Sequence, residues 1–69
     1  MEKQANDDLR RYARSHLIAL YEIAAKFDVS EATIYRWLRE PFSTKQAAQF
    51  RKFVRELVQE HADRKKADQ

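Results

Sequence analysis

The sequence predicts an all-α fold, a compact domain of four helices, and three observations carry that expectation. Glycine is absent from all 69 residues, where average usage of about 7% would place about five. Apolar side chains recur at helical spacing along most of the chain. The single proline, Pro41, falls between two such stretches, where it can end one helix without interrupting the next. The lack of glycine also excludes a nucleotide site built on a glycine-rich phosphate loop.

Residues 1–5 read as a flexible leader, and the first helix is expected over about 7–16. Asn6 stands where a cap belongs, and Asp7 and Asp8 in the opening turn suit the positive end of the helix dipole. Leu9, Tyr12, Ala13 and His16 fall at i, i+3, i+4 and i+7, a stripe that faces a core. On that stripe His16 reads as a boundary residue rather than a ligand. The period breaks at Leu17 to Ala19, which places a short connection there with Ile18 turned inward.

The second and third helices are expected over about 20–27 and 31–40. The first of this pair turns Ile23, Ala24 and Phe27 inward; the other turns Ile34, Trp37 and Leu38 inward, a stripe at i, i+3 and i+4. After Pro41, Ser43 and Gln46 have the spacing of a capping box, so a fourth helix is expected over about 44–61. Its apolar positions Ala47, Phe50, Phe53, Val54, Leu57 and Val58 cover an arc wider than one neighbouring helix needs. Phe50, Phe53 and Leu57 read as core, while the outer edge led by Val54 and Val58 is a candidate contact with a second copy. Residues 62–69, ADRKKADQ, read as a charged flexible tail, which leaves 6–61 as one domain without internal repeats.

The most informative stretch is LYEIAAKFDVSEATIYRWLR, Leu20 to Arg39. Two short amphipathic helices around the hinge Asp28-Val29-Ser30 describe a helix-turn-helix, an arrangement that can place its second helix in the DNA major groove. Two steeply crossing helices need a small residue where their backbones meet, and Ala24 supplies it. Val29 fills the space under the hinge, and Ser30 can accept from the amide of Ala32 or Thr33 to start the next helix. The turn asks for a left-handed residue at Asp28, a conformation that Asp tolerates better than most.

From Ile23 to Leu38 the run IAAKFDVSEATIYRWL resembles the helix-turn-helix of bacterial and phage transcription regulators, the lac-repressor and Cro-like class. The residues that carry the likeness are Ile23-Ala24, Val29-Ser30 and Thr33-Ile34, within a match of about twenty residues. The chain departs from the pattern at Asp28, where the family has a turn glycine. Its short length and the helix after the motif also resemble small stand-alone regulators of phages and mobile elements. The resemblance implies base-edge contacts from Glu31, Ala32 and Arg36, with Tyr35 and Arg39 at the groove walls, and phosphate contacts from Tyr21, Ser30 and Thr33. It also implies the cytoplasm of a bacterial or phage-infected cell.

Composition narrows the function classes further. A chain of 69 residues has room for one small domain, near the lower limit for a core without metals or disulfides. With no cysteine, neither a disulfide framework nor a thiolate zinc site can form, which fits a reducing compartment. His16 and His61 alone do not make a metal site, and no cofactor is expected. Short apolar runs and no charged-then-apolar leader disfavour membrane insertion and secretion. The net charge of +3 is modest, so its distribution matters more than its total. From Asp28 to Arg55, six basic residues (Arg36, Arg39, Lys45, Arg51, Lys52, Arg55) stand against three acids (Asp28, Glu31, Glu40).

The function expected from these features is sequence-specific binding of double-stranded DNA, in a transcriptional regulator, such as a repressor, or a mobile-element control protein. Arginine's planar fork can bond guanine O6 and N7 together, and hydroxyls suit phosphate oxygens. Glu31 can accept from cytosine N4 or simply stabilise the helix start. Trp37 reads as core rather than a stacking platform. Lys45 and Arg14 are further candidate backbone contacts. A homodimer on a repeated site would supply the specificity that one small module lacks. The alternatives are a helical protein-interaction adaptor of antitoxin or anti-repressor type, using the last helix, and an architectural or RNA-binding protein. An enzyme or a small-molecule substrate is not expected, because no exposed carboxylate pair, nucleophile with base, or metal cluster can be assembled.

Overall fold

The computed structural model describes residues 6–67, so the leader expected over 1–5 and the last two residues of the tail lie outside the described part. Four helices follow in order: α1 (Asp7–Ser15), α2 (Leu20–Lys26), α3 (Glu31–Trp37) and α4 (Thr44–Ala67). The all-helical architecture is the one the periodicity predicts, and no strand occurs among the described residues. α2 packs on α3, while α4 supports α1 and α2 from the other side. At 1.5 Å per residue the 24 residues of α4 extend about 36 Å, so the helix can only run along the 44 Å axis of the molecule.

The core draws Leu9 and Ala13 from α1, Ile18 from the first connection, Ile23 and Ala24 from α2, Ile34 and Leu38 from the α3 region, and Phe50, Val54 and Leu57 from α4. Phe27, Val29, Trp37 and Phe42 pack around it, half-buried. Phe27 is the hub of the rim. Its ring meets Trp37 and Phe53 edge-on at centroid distances of 5.8 and 4.8 Å, an arrangement that adds to area burial by matching ring edge to ring face. Ala24 is fully buried on α2, the helix that packs on α3.

The first two connections end the helix before them in the same way, without glycine. After α2, Asp28 takes φ 61°; its N–H bonds to Ala25 O at 3.0 Å and that of Val29 to Ala24 O at 2.9 Å. After α1, Leu17 takes φ 60°, with Leu17 N–H on Arg14 O at 3.0 Å and Ile18 N–H on Ala13 O at 3.0 Å. Each is a Schellman motif, a left-handed residue that folds the chain back so that an apolar residue reaches the core. Asp28 thus occupies the conformation the hinge requires. The capping box at the start of α4 is complete, with Gln46 N–H on Ser43 Oγ at 3.1 Å and Ser43 N–H on Gln46 Oε1 at 3.0 Å.

Four placements differ from expectation. Asn6 occupies the cap position of α1 but makes no side-chain cap bond. Instead its amide donates to Leu38 O and Glu40 O at 3.0 and 2.7 Å, and its Oδ1 accepts from Phe42 N–H at 2.9 Å. His16 is exposed rather than core-facing, because α1 ends at Ser15 and the left-handed turn lifts the next residues away; its ring rests edge-on against Tyr12. α3 ends at Trp37, three residues short of the expected Glu40: the N–H groups of Arg39 and Glu40 bond three residues back, to Arg36 O and Trp37 O, and Asn6 takes up the free carbonyls of Leu38 and Glu40. α4 continues past His61 to Ala67. Apolar periodicity stops near Val58, but periodicity reports burial, and nothing in ADRKKA opposes helix.

Candidate nucleic-acid interface

Ser30 starts α3, its Oγ accepting from Thr33 N–H at 3.2 Å while lying 2.9 Å from Thr33 Oγ1. Two hydroxyls in mutual contact use one of their two protons on each other, so one remains to donate outward. From that start, Ile34 and Leu38 point into the core at zero exposure, and the opposite side of α3 is left to solvent. Glu31, Ala32, Tyr35 and Arg36 are all exposed there, and Arg39 follows in the turn whose N–H bonds to Arg36 O at 3.2 Å. These residues share a face because i, i+1, i+4 and i+5 fall within one side of a helix. Neither Arg36 nor Arg39 forms an ion pair with any described residue.

The structure does not gather every candidate around this face. Lys45 is exposed in the first turn of α4, beyond the end of α3 opposite to Ser30 and Thr33. Tyr21 is exposed but lines a groove between α2 and α4 together with Glu22, Lys26 and Glu60. That setting, with two carboxylates, does not favour a phosphate. Val54, expected at an outer edge, is fully buried at 0% exposure in the core, because the arc of α4 is wide enough to serve α1 and α2 at once. Val58 alone of that pair reaches the surface.

The seam between α2 and α4 holds its charges closely. Lys26 donates to Glu60 and lies 3.5 Å from Glu56. The hydrogen bond to the Glu60 carboxylate, helped by the two negative charges, holds the Lys26 ammonium above its ordinary pKa. Glu22 works twice: Oε2 accepts from the N–H of Ala19, which starts α2, at 3.1 Å, and Oε1 meets His61 Nε2 at 2.7 Å. This seam gave no signal in the sequence beyond the four-residue spacing of Glu56 and Glu60.

On the other side, Tyr35 faces α1 across a cleft of about 470 Å³ lined also by Arg10, Arg14, Leu17 and Leu20. Arg14 is thus the candidate backbone contact that the structure brings near Tyr35, whereas Arg10 and Leu17 carried no signal in the sequence. Among the described residues no cluster of three or more His, Cys, Asp or Glu could hold a metal ion, and no helix is long and apolar enough to cross a membrane. In comparisons with known proteins, the chain matches no family model, no curated protein and no solved structure.

Proposed function

We propose that the chain binds double-stranded DNA in a sequence-dependent manner, with α3 entering the major groove, and acts as a transcriptional regulator or mobile-element control protein. The observation that carries this reading is the exposed face of α3 and the turn after it, where Tyr35 is exposed and Arg36 and Arg39 have no ionic partner among the described residues while the core holds the helix from behind. Arg36 reads guanine through its paired N–H groups, Glu31 and Ala32 approach base edges near the start of α3, and Arg39 and Tyr35 flank the groove. Ser30 and Thr33 fix the register through the phosphate backbone, with Lys45 at the far end. The protein performs no chemistry on the DNA.

A two-turn helix of seven residues reaches about four base pairs, so a repeated site occupied by two copies supplies the remaining specificity. The contact between copies does not use Val54, which is buried, and the same burial removes half of the apolar edge on which an adaptor role for α4 would rest. Selection of binding sites from a random duplex pool at two salt concentrations tests the reading. An enriched motif, with affinity that falls steeply with salt, is the expected result. Recovery of no motif, with equal affinity for every duplex, would assign the protein to non-specific binding instead.

A further inference from the structure

The cleft between α1 and α3 combines two features that folding alone does not explain. Leu17 sits at its rim with φ 60° and 87% exposure. A left-handed conformation is unfavourable for leucine, and an exposed side chain returns nothing to the core, so glycine or asparagine would serve this turn better. An observed outlier of this kind points to use of the side chain. The second feature is the pair Arg10 and Arg14, which line the cleft with no ionic partner among the described residues, the nearby Asp7 being paired with Arg11 at 2.8 Å.

We propose that this cleft seats a stretch of nucleic-acid sugar–phosphate backbone, with Arg10 and Arg14 on the phosphate and Leu17 against the sugar. The inference rests on the duplex-binding reading of α3, since Tyr35 joins the two surfaces. No acidic side chain lines the cleft, so it is complementary to an anion. Its volume of about 470 Å³ lies in the range of about 300–1,000 Å³ of seats for organic ligands rather than single ions. The backbone of a duplex presents phosphate charge beside an apolar sugar face, and the cleft presents two guanidinium groups beside Leu17 and Leu20. The strand it holds is the one beside the groove that α3 enters.

The test uses the full chain and labelled duplexes, one carrying the selected motif and one unrelated, titrated at several salt concentrations. The double variant R10Q/R14Q is expected to weaken both duplexes alike and to lower the salt slope by about 2, leaving the preferred motif unchanged. Leu17→Gly is expected to move two readouts in opposite directions: Tm rises by about 4–8 °C as the strain is removed, while duplex affinity falls by about tenfold with the lost apolar contact. An unchanged slope in R10Q/R14Q, or full affinity in L17G, overturns the cleft while motif selection by α3 stands. Absence of any duplex binding by the unaltered chain overturns both. Displacement of the duplex by a polyglutamate peptide at equal ionic strength, lost in R10Q/R14Q with no change in salt slope, overturns it in favour of an acidic protein partner.

Discussion

The seam between α2 and α4 and the face formed by α3 with the end of α1 are both rich in charge, yet they treat it in opposite ways. In the seam, Lys26 is shared by Glu56 and Glu60, and Glu22 holds both His61 and the first turn of α2. On the face, Arg10, Arg14, Arg36 and Arg39 have no ionic partner among the described residues. Charges satisfied within the chain stabilise its fold and attract little from outside; charges left in solvent stabilise nothing, yet remain available to a partner. A net charge of only +3 is therefore compatible with a basic side, because three of the acids, Glu22, Glu56 and Glu60, are engaged in the seam.

The largest test of that contrast is a residue that anchors the face without belonging to it. Asn6→Ala removes three hydrogen bonds to the segment 38–42 and leaves part-buried backbone groups without partners. It is expected to cost about 2–3 kcal/mol of stability, measured by chemical denaturation. A next, comparable effect separates binding from folding. Arg36→Ala is expected to cost about 1–3 kcal/mol of specific duplex affinity and to relax one base position, with stability changed by no more than about 0.5 kcal/mol. Equal weakening on every sequence would place Arg36 on phosphate rather than base.

The seam should behave as the mirror image. Glu22→Ala removes the acceptor for Ala19 and the partner of His61, and is expected to cost about 1–2 kcal/mol of stability with no loss of duplex affinity. Lys26→Met should produce the smallest change, and its signature is pH dependence. Because Glu60 raises the Lys26 pKa above the ordinary 10.5, the pair contributes fully at neutral pH and its contribution is lost only as pH rises through the raised value. The difference in stability between wild type and K26M should therefore be constant around neutral pH and close as pH rises into strong alkali. A difference that persists unchanged in strong alkali would show that the lysine charge does not carry the pair.

What the sequence conveyed and what it did not follows from the range of each signal. Helical period, the single proline and the Ser43–Gln46 spacing are local, and they place four helices with starts that match the structure at Asp7, Leu20, Glu31 and Thr44. The buried stripe of Ile34 and Leu38 also fixes which side of α3 is exposed. Asn6 holds a segment more than thirty residues away, and no local pattern reveals that. Val54 lies on the same apolar arc as Val58, and only the positions of α1 and α2 decide which of them is covered. Leu17 looked like an ordinary linker residue, since a leucine side chain gives no sign of a left-handed backbone, whereas the helix-turn-helix spacing gave one at Asp28.

The most direct measurement is a backbone amide shift map of the protein titrated with the selected duplex. The largest changes are expected at residues 30–39 and at Arg10, Arg14 and Leu17, while Glu22, Lys26, Glu56, Glu60 and His61 remain near their free positions. Changes concentrated along the α2–α4 seam, with residues 30–39 unmoved, would contradict the assignment of α3 to the major groove.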